Sequence, residues 1–193
     1  MNRERTTILV EIALSVALAA VLNTLIVFRM PQGGSVALTM LPIVVVAIRR
    51  GPVAGVITGA LYGCVDLAMN PYVVHPVQLL LDYPLAFGGV GLAGFWSSPW
   101  IRRMRSGNVL SATTLVLLPA VALGSAARYL MHVVSGFIFF SAFAPPGQPV
   151  LAYSLIYNSY VVVSGAAAFA TAAIVLPAVE RVLPVGRDAP REP

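Results

Sequence analysis

Residues 127–140 read ARYLMHVVSGFIFF, an apolar run that carries Arg128 and His132 four residues apart. At that spacing a guanidinium and an imidazole share one face of a helix. An ionisable group inside hydrocarbon costs on the order of 3 kcal/mol near a helix centre, so such groups face one another, a cavity or a ligand. Two other apolar stretches carry similar groups: Asp82 and Tyr83 in LLLDYPLAF, and Tyr153 and Asn158 in AYSLIYNSY. A carboxylate, a guanidinium, an imidazole, hydroxyls and an amide beside Phe139 and Phe140 suit a flat, polar small molecule, a cation included.

Each residue also has a structural role open to it. Asp82 and Arg128 could form an ion pair, and His132 could be a hydrogen-bonded core histidine. Asn158 could join two helices, and Tyr83 and Tyr153 could belong to an interfacial belt. Asp66 and Glu11 read as structural or interfacial. The joint pattern favours a site more than any member does. Catalysis finds no support. There is no HExxH, GxSxG or Walker motif, and one histidine with one aspartate in different apolar runs is no specific triad. No segment binds a nucleotide, so ATP-driven work needs a partner. No cofactor or metal is implied: the single cysteine, Cys64, can form neither an internal disulfide nor a cysteine zinc cluster, and reads as a small apolar filler in a helix.

The elements that must position these residues are membrane helices. The chain is 59% hydrophobic and 10% charged, whereas soluble domains carry roughly 25% charged residues. The twelve basic residues are all arginine, against seven acids. They fall between apolar runs, which reads as membrane topology and not as a nucleic-acid surface. A spanning helix needs about 20 apolar residues. The apolar runs predict an all-α polytopic membrane protein of six transmembrane helices: Ile8 to Phe28, a short Val36 to Ile48, Pro52 to Met69, Val77 to Phe95, Val109 toward Phe140, and Pro149 to Leu183. The last two exceed the bilayer, so they must tilt, protrude or bend at a glycine such as Gly136. The first run, at about 20 residues, exceeds a signal-peptide core, and further spans follow, so it is expected to be retained.

Arg3, Arg5, Arg49, Arg50, Arg102, Arg103, Arg105, Arg181, Arg187 and Arg191 fall on one side of this arrangement. Arg29 alone falls on the other, and Arg128 lies near the outer end of the fifth span. The positive-inside rule then makes both termini cytoplasmic. Residues 1–7 are a cytoplasmic N-terminus, 8–183 a single membrane domain and 184–193 a polar tail. The outer loops MPQGGS, NPYVVHP and SAFAPPGQP read as compact turns. In the first span Ala13 and Ala17, followed by Ala19 and Ala20, make a small-residue face suited either to internal packing or to docking a second protein.

The blocks EIALSVALA, MPQGGS, MLPIVVVAIRRGPVAGVITGALYG, LLLDYPLAFGGVGLAGF, RYLMHVVSGFIFF and AYSLIYNSY, taken in order, resemble the thiamine-specific substrate-binding (S) components of energy-coupling factor transporters. The resemblance runs from Glu11 to about Leu183. It implies a six-helix, outward-opening vitamin binder in the cell membrane of a prokaryote. A separate transmembrane coupling protein and two ABC-type ATPase subunits would drive uptake, and the S component would topple to release its substrate. It further implies that Ala13 and Ala17 form the coupling contact. The implied substrate-binding residues are Asp82, in place of a family glutamate, with Tyr83, Arg128, His132, Tyr153 and Asn158. Phe140 stands where the family has a tryptophan. Gly33-Gly34-Ser35 stands where some members carry another. For thiamine, Asp82 would oppose the thiazolium, Tyr153 and Asn158 would bond the pyrimidine edge, and His132 and Phe140 would stack on a ring. A thiamine precursor such as hydroxymethylpyrimidine, or another flat heterocyclic vitamin, is the alternative ligand. An intramembrane enzyme and a purely structural subunit are the competing classes.

Overall fold

The computed structural model describes residues 3–185; Arg187, Arg191 and most of the predicted tail lie outside them. The described chain is all-α apart from one two-residue hairpin. Its elements are α1 (Arg3–Leu22), β1 (Phe28–Arg29), β2 (Ser35–Val36), α2 (Met40–Arg50) and α3 (Pro52–Met69), then α4 (Pro76–Leu80), α5 (Ala86–Val90), α6 (Ser97–Arg105) and α7 (Val109–Ala112), and finally α8 (Leu118–Phe139), α9 (Val150–Tyr157) and α10 (Tyr160–Val182). The helix that starts at Pro76 runs on to Arg105 through a π-turn at Leu81–Leu85 and a 3-10 stretch at Gly91–Trp96. Likewise Val109–Phe139 is continuous through a π-turn at Thr113–Leu117.

Among the described residues, five helical stretches are long and apolar enough to cross a membrane: Arg3–Leu22, Pro52–Met69, Pro76–Arg105, Val109–Phe139 and Val150–Val182. The sixth helix, α2, has 11 residues, about 16 Å at 1.5 Å per residue. Its character explains its shortness. All of its residues except Val45 and Arg50 are buried, so it fills the centre of the bundle against α1, α3 and α10. The main core forms around it, with Met40, Ile43, Val44 and Ile48 packed with Tyr62, Phe87, Trp100, Leu117 and Leu176.

The third span lies where the sequence predicts it; other boundaries shift. α1 begins within the predicted N-terminal segment and ends six residues before Phe28, because apolarity marks bilayer depth and not the ends of hydrogen-bonded turns. Phe28 and Val36, read as span residues, pair instead across the hairpin. The fourth helix runs past Phe95, carrying Arg102, Arg103 and Arg105 on α6. The sixth span is interrupted at Asn158-Ser159, between α9 and α10. No break occurs at Gly136, where the α8 ladder is continuous. The backbone irregularities of the long helices sit beside prolines. Pro84 lies within the first π-turn and Pro119 just after the second. A proline has no N–H to give the ladder and its ring collides with the carbonyl four residues back, and a widened turn accommodates both.

One contact sets the depth of the site. α3 carries Gly55, Gly59 and Gly63 at four-residue spacing, and a Cβ on Gly59 or Gly63 would collide with the carbonyls of Phe87 or Tyr83. The bare groove lets the fourth span lie directly on α3. It thereby fixes Asp82 and Tyr83 opposite α8.

Candidate functional site

At the hairpin end of the bundle a cavity of about 280 Å³ opens between the loops and α3, α8 and α9. Asp82, Tyr83, Arg128, His132, Phe140, Tyr153 and Asn158, drawn from three long helices, all line it. The volume is near the lower end of small-molecule pockets, roughly 300–1,000 Å³.

Asp82 is the hub. Its Oδ2 accepts from Gln78 Nε2 at 2.7 Å and Ser135 Oγ at 2.9 Å, and its Oδ1 lies 3.0 Å from His132 Nδ1. His132 Nε2 accepts from Arg128 Nε at 3.3 Å, so the ring proton belongs on Nδ1, donated to Asp82. A carboxylate has about four acceptor positions, which leaves Asp82 one for a ligand. The anticipated Asp82–Arg128 ion pair is not formed; the histidine stands between them. Arg128 lies over the Phe87 ring, 4.3 Å from its centroid, and its Nη1 is buried without a hydrogen-bond partner among the described residues. Asp82 lies within the π-turn that holds Pro84 and faces α8, while Gln78, one turn earlier, braces it.

Tyr83 offers the cavity its ring but not its hydroxyl, which donates to the Asn70 carbonyl and accepts from the Tyr72 amide, each at 2.9 Å. Asn158 Nδ2 bonds the carbonyls of His132 (3.2 Å) and Ser154 (2.9 Å), tying α9 to α8; its amide oxygen is what it can offer a ligand. Tyr153, half-buried, points its hydroxyl toward Gln32 Oε1 at 3.5 Å. Phe140 is 8% exposed and stacks on Tyr72 with centroids 5.9 Å apart. Beside it, Phe139 stacks on exposed His75 at 4.9 Å. These two pairs fasten the loop 70–75 to the end of α8, with Phe140 turned to the cavity and Phe139 away from it. Trp100 is buried in the core with Trp96 packed against it, and neither lines the cavity.

Several lining residues escaped sequence reasoning. Asp66, read as structural or interfacial, lines the cavity, where it accepts from Asn23 Nδ2 at 2.8 Å and Asn70 Nδ2 at 3.2 Å. Gln78, 1% exposed, orients Asp82; its place four residues before Asp82 was the available signal. Tyr157 accepts from the Gln32 amide at 2.7 Å and donates to the Gly33 carbonyl at 3.1 Å, holding the first loop against the cavity. That loop turns through Gly33 and Gly34 at φ of 84° and 86°, a region that a tryptophan enters only under strain.

Ala13 and Ala17 lie in the second half of α1 and are both exposed, while Ile12 and Ala19 on the same helix turn inward. The face is therefore not spent on packing within the chain. Glu11, by contrast, is engaged: its carboxylate accepts from Arg50 at 2.6 and 2.7 Å and from Arg49 at 3.3 Å, and Arg49 also donates to Glu180 at 2.9 Å.

Comparison with known proteins gives this geometry a context. The family model described as thiamine transporter protein (Thia_YuaJ) matches residues 9–184. The thiamine transporter ThiT of Bacillus subtilis (strain 168) is 42% identical over 163 residues, covering 82% of this chain and 84% of the relative. The thiamine transporter ThiT of Lacticaseibacillus paracasei is 34% identical over 136 residues, covering 68% of this chain and 65% of that one. A solved structure of ThiT from Listeria monocytogenes superposes with a TM-score of 0.80 at 27% identity, covering 94% of this chain and 97% of that one. The helical bundle is thus shared with ThiT, and the matched relatives are named as thiamine transporters. By the match over nearly its whole length, this chain belongs to the thiamine transporter protein (Thia_YuaJ) family.

Proposed function

We propose that this chain is the thiamine-binding S component of an energy-coupling factor transporter, and that it takes up thiamine through the cavity at the hairpin end. One observation carries the reading. A carboxylate held by three donors, with one acceptor position left, lies in a cavity walled by Phe140 and Tyr72, in a chain of the thiamine transporter family. Thiamine has a permanently cationic thiazolium and a pyrimidine edge with donors and acceptors. Asp82 opposes the positive charge. The Asn158 amide oxygen and the Tyr153 hydroxyl meet the pyrimidine edge, and His132 and Phe140 flank a ring. Arg128, its guanidinium over the Phe87 ring, holds the histidine tautomer that keeps Asp82 aimed.

The arginine-rich end of the bundle faces the cytoplasm by the positive-inside rule, with both termini there and the cavity open to the outside of a prokaryotic cell membrane. The exposed Ala13 and Ala17 face fits close approach by a helix of a coupling protein, and two ABC-type ATPases supply the energy that this chain has no motif to supply.

Titration of the purified chain by calorimetry against thiamine and hydroxymethylpyrimidine tests the ligand; tighter binding of the neutral pyrimidine would overturn the thiamine assignment in favour of a precursor carrier. Ala17→Trp tests the coupling. Uptake by cells expressing the partners is expected to cease while binding by the isolated chain persists. Loss of binding in detergent as well would show that the alanine face supports the fold.

A further inference from the structure

The arginine-rich end contains two kinds of arginine. Arg49 and Arg50 are neutralised by Glu11 and Glu180. The arginines of α6 are not. Residues 97–112 contain no acid. Arg103 donates to the Ser111 hydroxyl at 3.0 Å and Arg105 to the Val185 carbonyl at 2.9 Å. Both acceptors are neutral, so among the described residues the positive charge stays uncompensated. The Arg102 side chain is exposed and has no hydrogen bond or ion pair among the described residues.

Helix length fixes the depth of these arginines. Pro76–Arg105 is 30 residues long, about ten more than the roughly 20 that cross the hydrocarbon core, so its last turns extend into the headgroup region. With the cavity end of this helix at one surface, Arg102 and Arg105 lie in the headgroup layer of the opposite leaflet. Ser98, Ile101, Arg102 and Arg105 recur at three- and four-residue spacing on one face and line a shallow concavity there.

We propose that this concavity is a binding site for an anionic phospholipid. Arg102 and Arg105 grip the lipid phosphate, the Ser98 hydroxyl donates to it, and Ile101 lies against the glycerol. Guanidinium forks match phosphate oxygens in pairs, and uncompensated arginines next to a span are drawn to an anionic leaflet. Free phosphate shares this chemistry, but the depth of the site selects the lipid. The site is separate from the thiamine cavity and independent of the proposed function.

The test is native mass spectrometry of the full chain in detergent with added dioleoyl-phosphatidylglycerol or dioleoyl-phosphatidylcholine. Wild type is expected to retain phosphatidylglycerol in preference to phosphatidylcholine, also in millimolar inorganic phosphate. Arg102→Gln with Arg105→Gln is expected to weaken that retention roughly thirtyfold, and Arg102→Gln alone by less. Arg181→Gln, which removes an exposed arginine elsewhere at this end of the bundle, is expected to leave it unchanged. Equal retention of the two lipids overturns the proposal, as does displacement by inorganic phosphate. So does undiminished retention by the double variant, or an equal loss in Arg181→Gln, which would mean diffuse surface charge and no built site. A melting temperature within a degree or so of wild type establishes that each variant is folded.

Discussion

The two ends of this bundle both bury charge, and they do so to opposite effect. At the arginine-rich end, Arg49 and Glu180 are 4% and 6% exposed, and with Glu11 and Arg50 they form a closed set that joins α1, α2 and α10. The second Glu180 oxygen accepts from the Val185 amide. At the cavity end, Asp82, His132 and Arg128 are linked just as directly, yet the chain stops short: Asp82 keeps an acceptor position and Arg128 Nη1 has no partner among the described residues. A buried charge whose bonding is complete holds helices together. A buried charge whose bonding is deliberately incomplete, beside an opening, waits for a ligand. Spare bonding capacity, and not burial, separates the two.

The comparison is broken most severely by Asp82→Asn. Removing one charge of a buried pair typically costs about 3 to 5 kcal/mol, so thiamine affinity by calorimetry is expected to fall by two orders of magnitude or more, at about 1.4 kcal/mol per tenfold. The melting temperature should fall only modestly, because the asparagine amide oxygen still accepts a hydrogen bond from the buried donors around it. Unchanged affinity would make Asp82 structural and place the ligand elsewhere.

Glu180→Gln is the mirror experiment. It leaves the buried Arg49 charge opposed only by Glu11, at 3.3 Å, and a destabilisation of about 2 to 3 kcal/mol is expected, at the lower end of the range for broken buried pairs because Glu11 and the glutamine amide oxygen still accept from it. Thermal unfolding in detergent reads the loss, while thiamine affinity stays within about twofold. A selective loss of affinity instead would mean that the two ends are coupled and that the distinction drawn here fails.

The same contrast explains what the sequence discloses and what it hides. Arg128 and His132 are conspicuous because hydrocarbon makes them expensive, and a four-residue spacing states their common face without any structure. Asp66 is of the same residue type as Asp82, yet in the sequence it reads as structural or interfacial. Only the fold reveals that α3 turns it inward, to Asn23 at the end of α1. Gln78 passes unnoticed because an uncharged amide near a helix start is unremarkable until a carboxylate is found beside it. The glycine groove of α3 is plain in the letters, but which backbone it admits is a matter of tertiary packing. Helix ends were misjudged wherever apolar residues served the hairpin, as at Phe28 and Val36, since hydropathy reports depth and not hydrogen bonding. The π-turn at Asp82 was foreshadowed by Pro84, yet a proline alone does not say whether a helix will kink, end or widen.

The smallest expected effect is at Phe140, where it is the quality of the cavity wall that is tested and not its charge. Its ring is 8% exposed, lines the cavity, and is backed by Tyr72 on one side and Phe143 at 6.1 Å on another. A cation over an aromatic face gains roughly 0.5 to 2 kcal/mol, and the indole ring is the best of the three. Phe140→Ala removes the wall and loosens the Tyr72 loop, so thiamine affinity should drop by about 1 kcal/mol or more, roughly five- to tenfold. Phe140→Trp should bind at least as tightly as wild type, because the ring borders open cavity and the larger indole extends into it. It also supplies a reporter. Trp96 and Trp100 belong to the core and do not line the cavity, so the wild-type protein should show little fluorescence change on adding thiamine, while the variant should show a clear one. Normal binding by Phe140→Ala, together with an indole at 140 that ignores the ligand, would mean that thiamine does not reach this wall, and the aromatic side of the cavity would then have to be sought at Tyr153 and Tyr157, whose rings pair at 5.6 Å across the other lip.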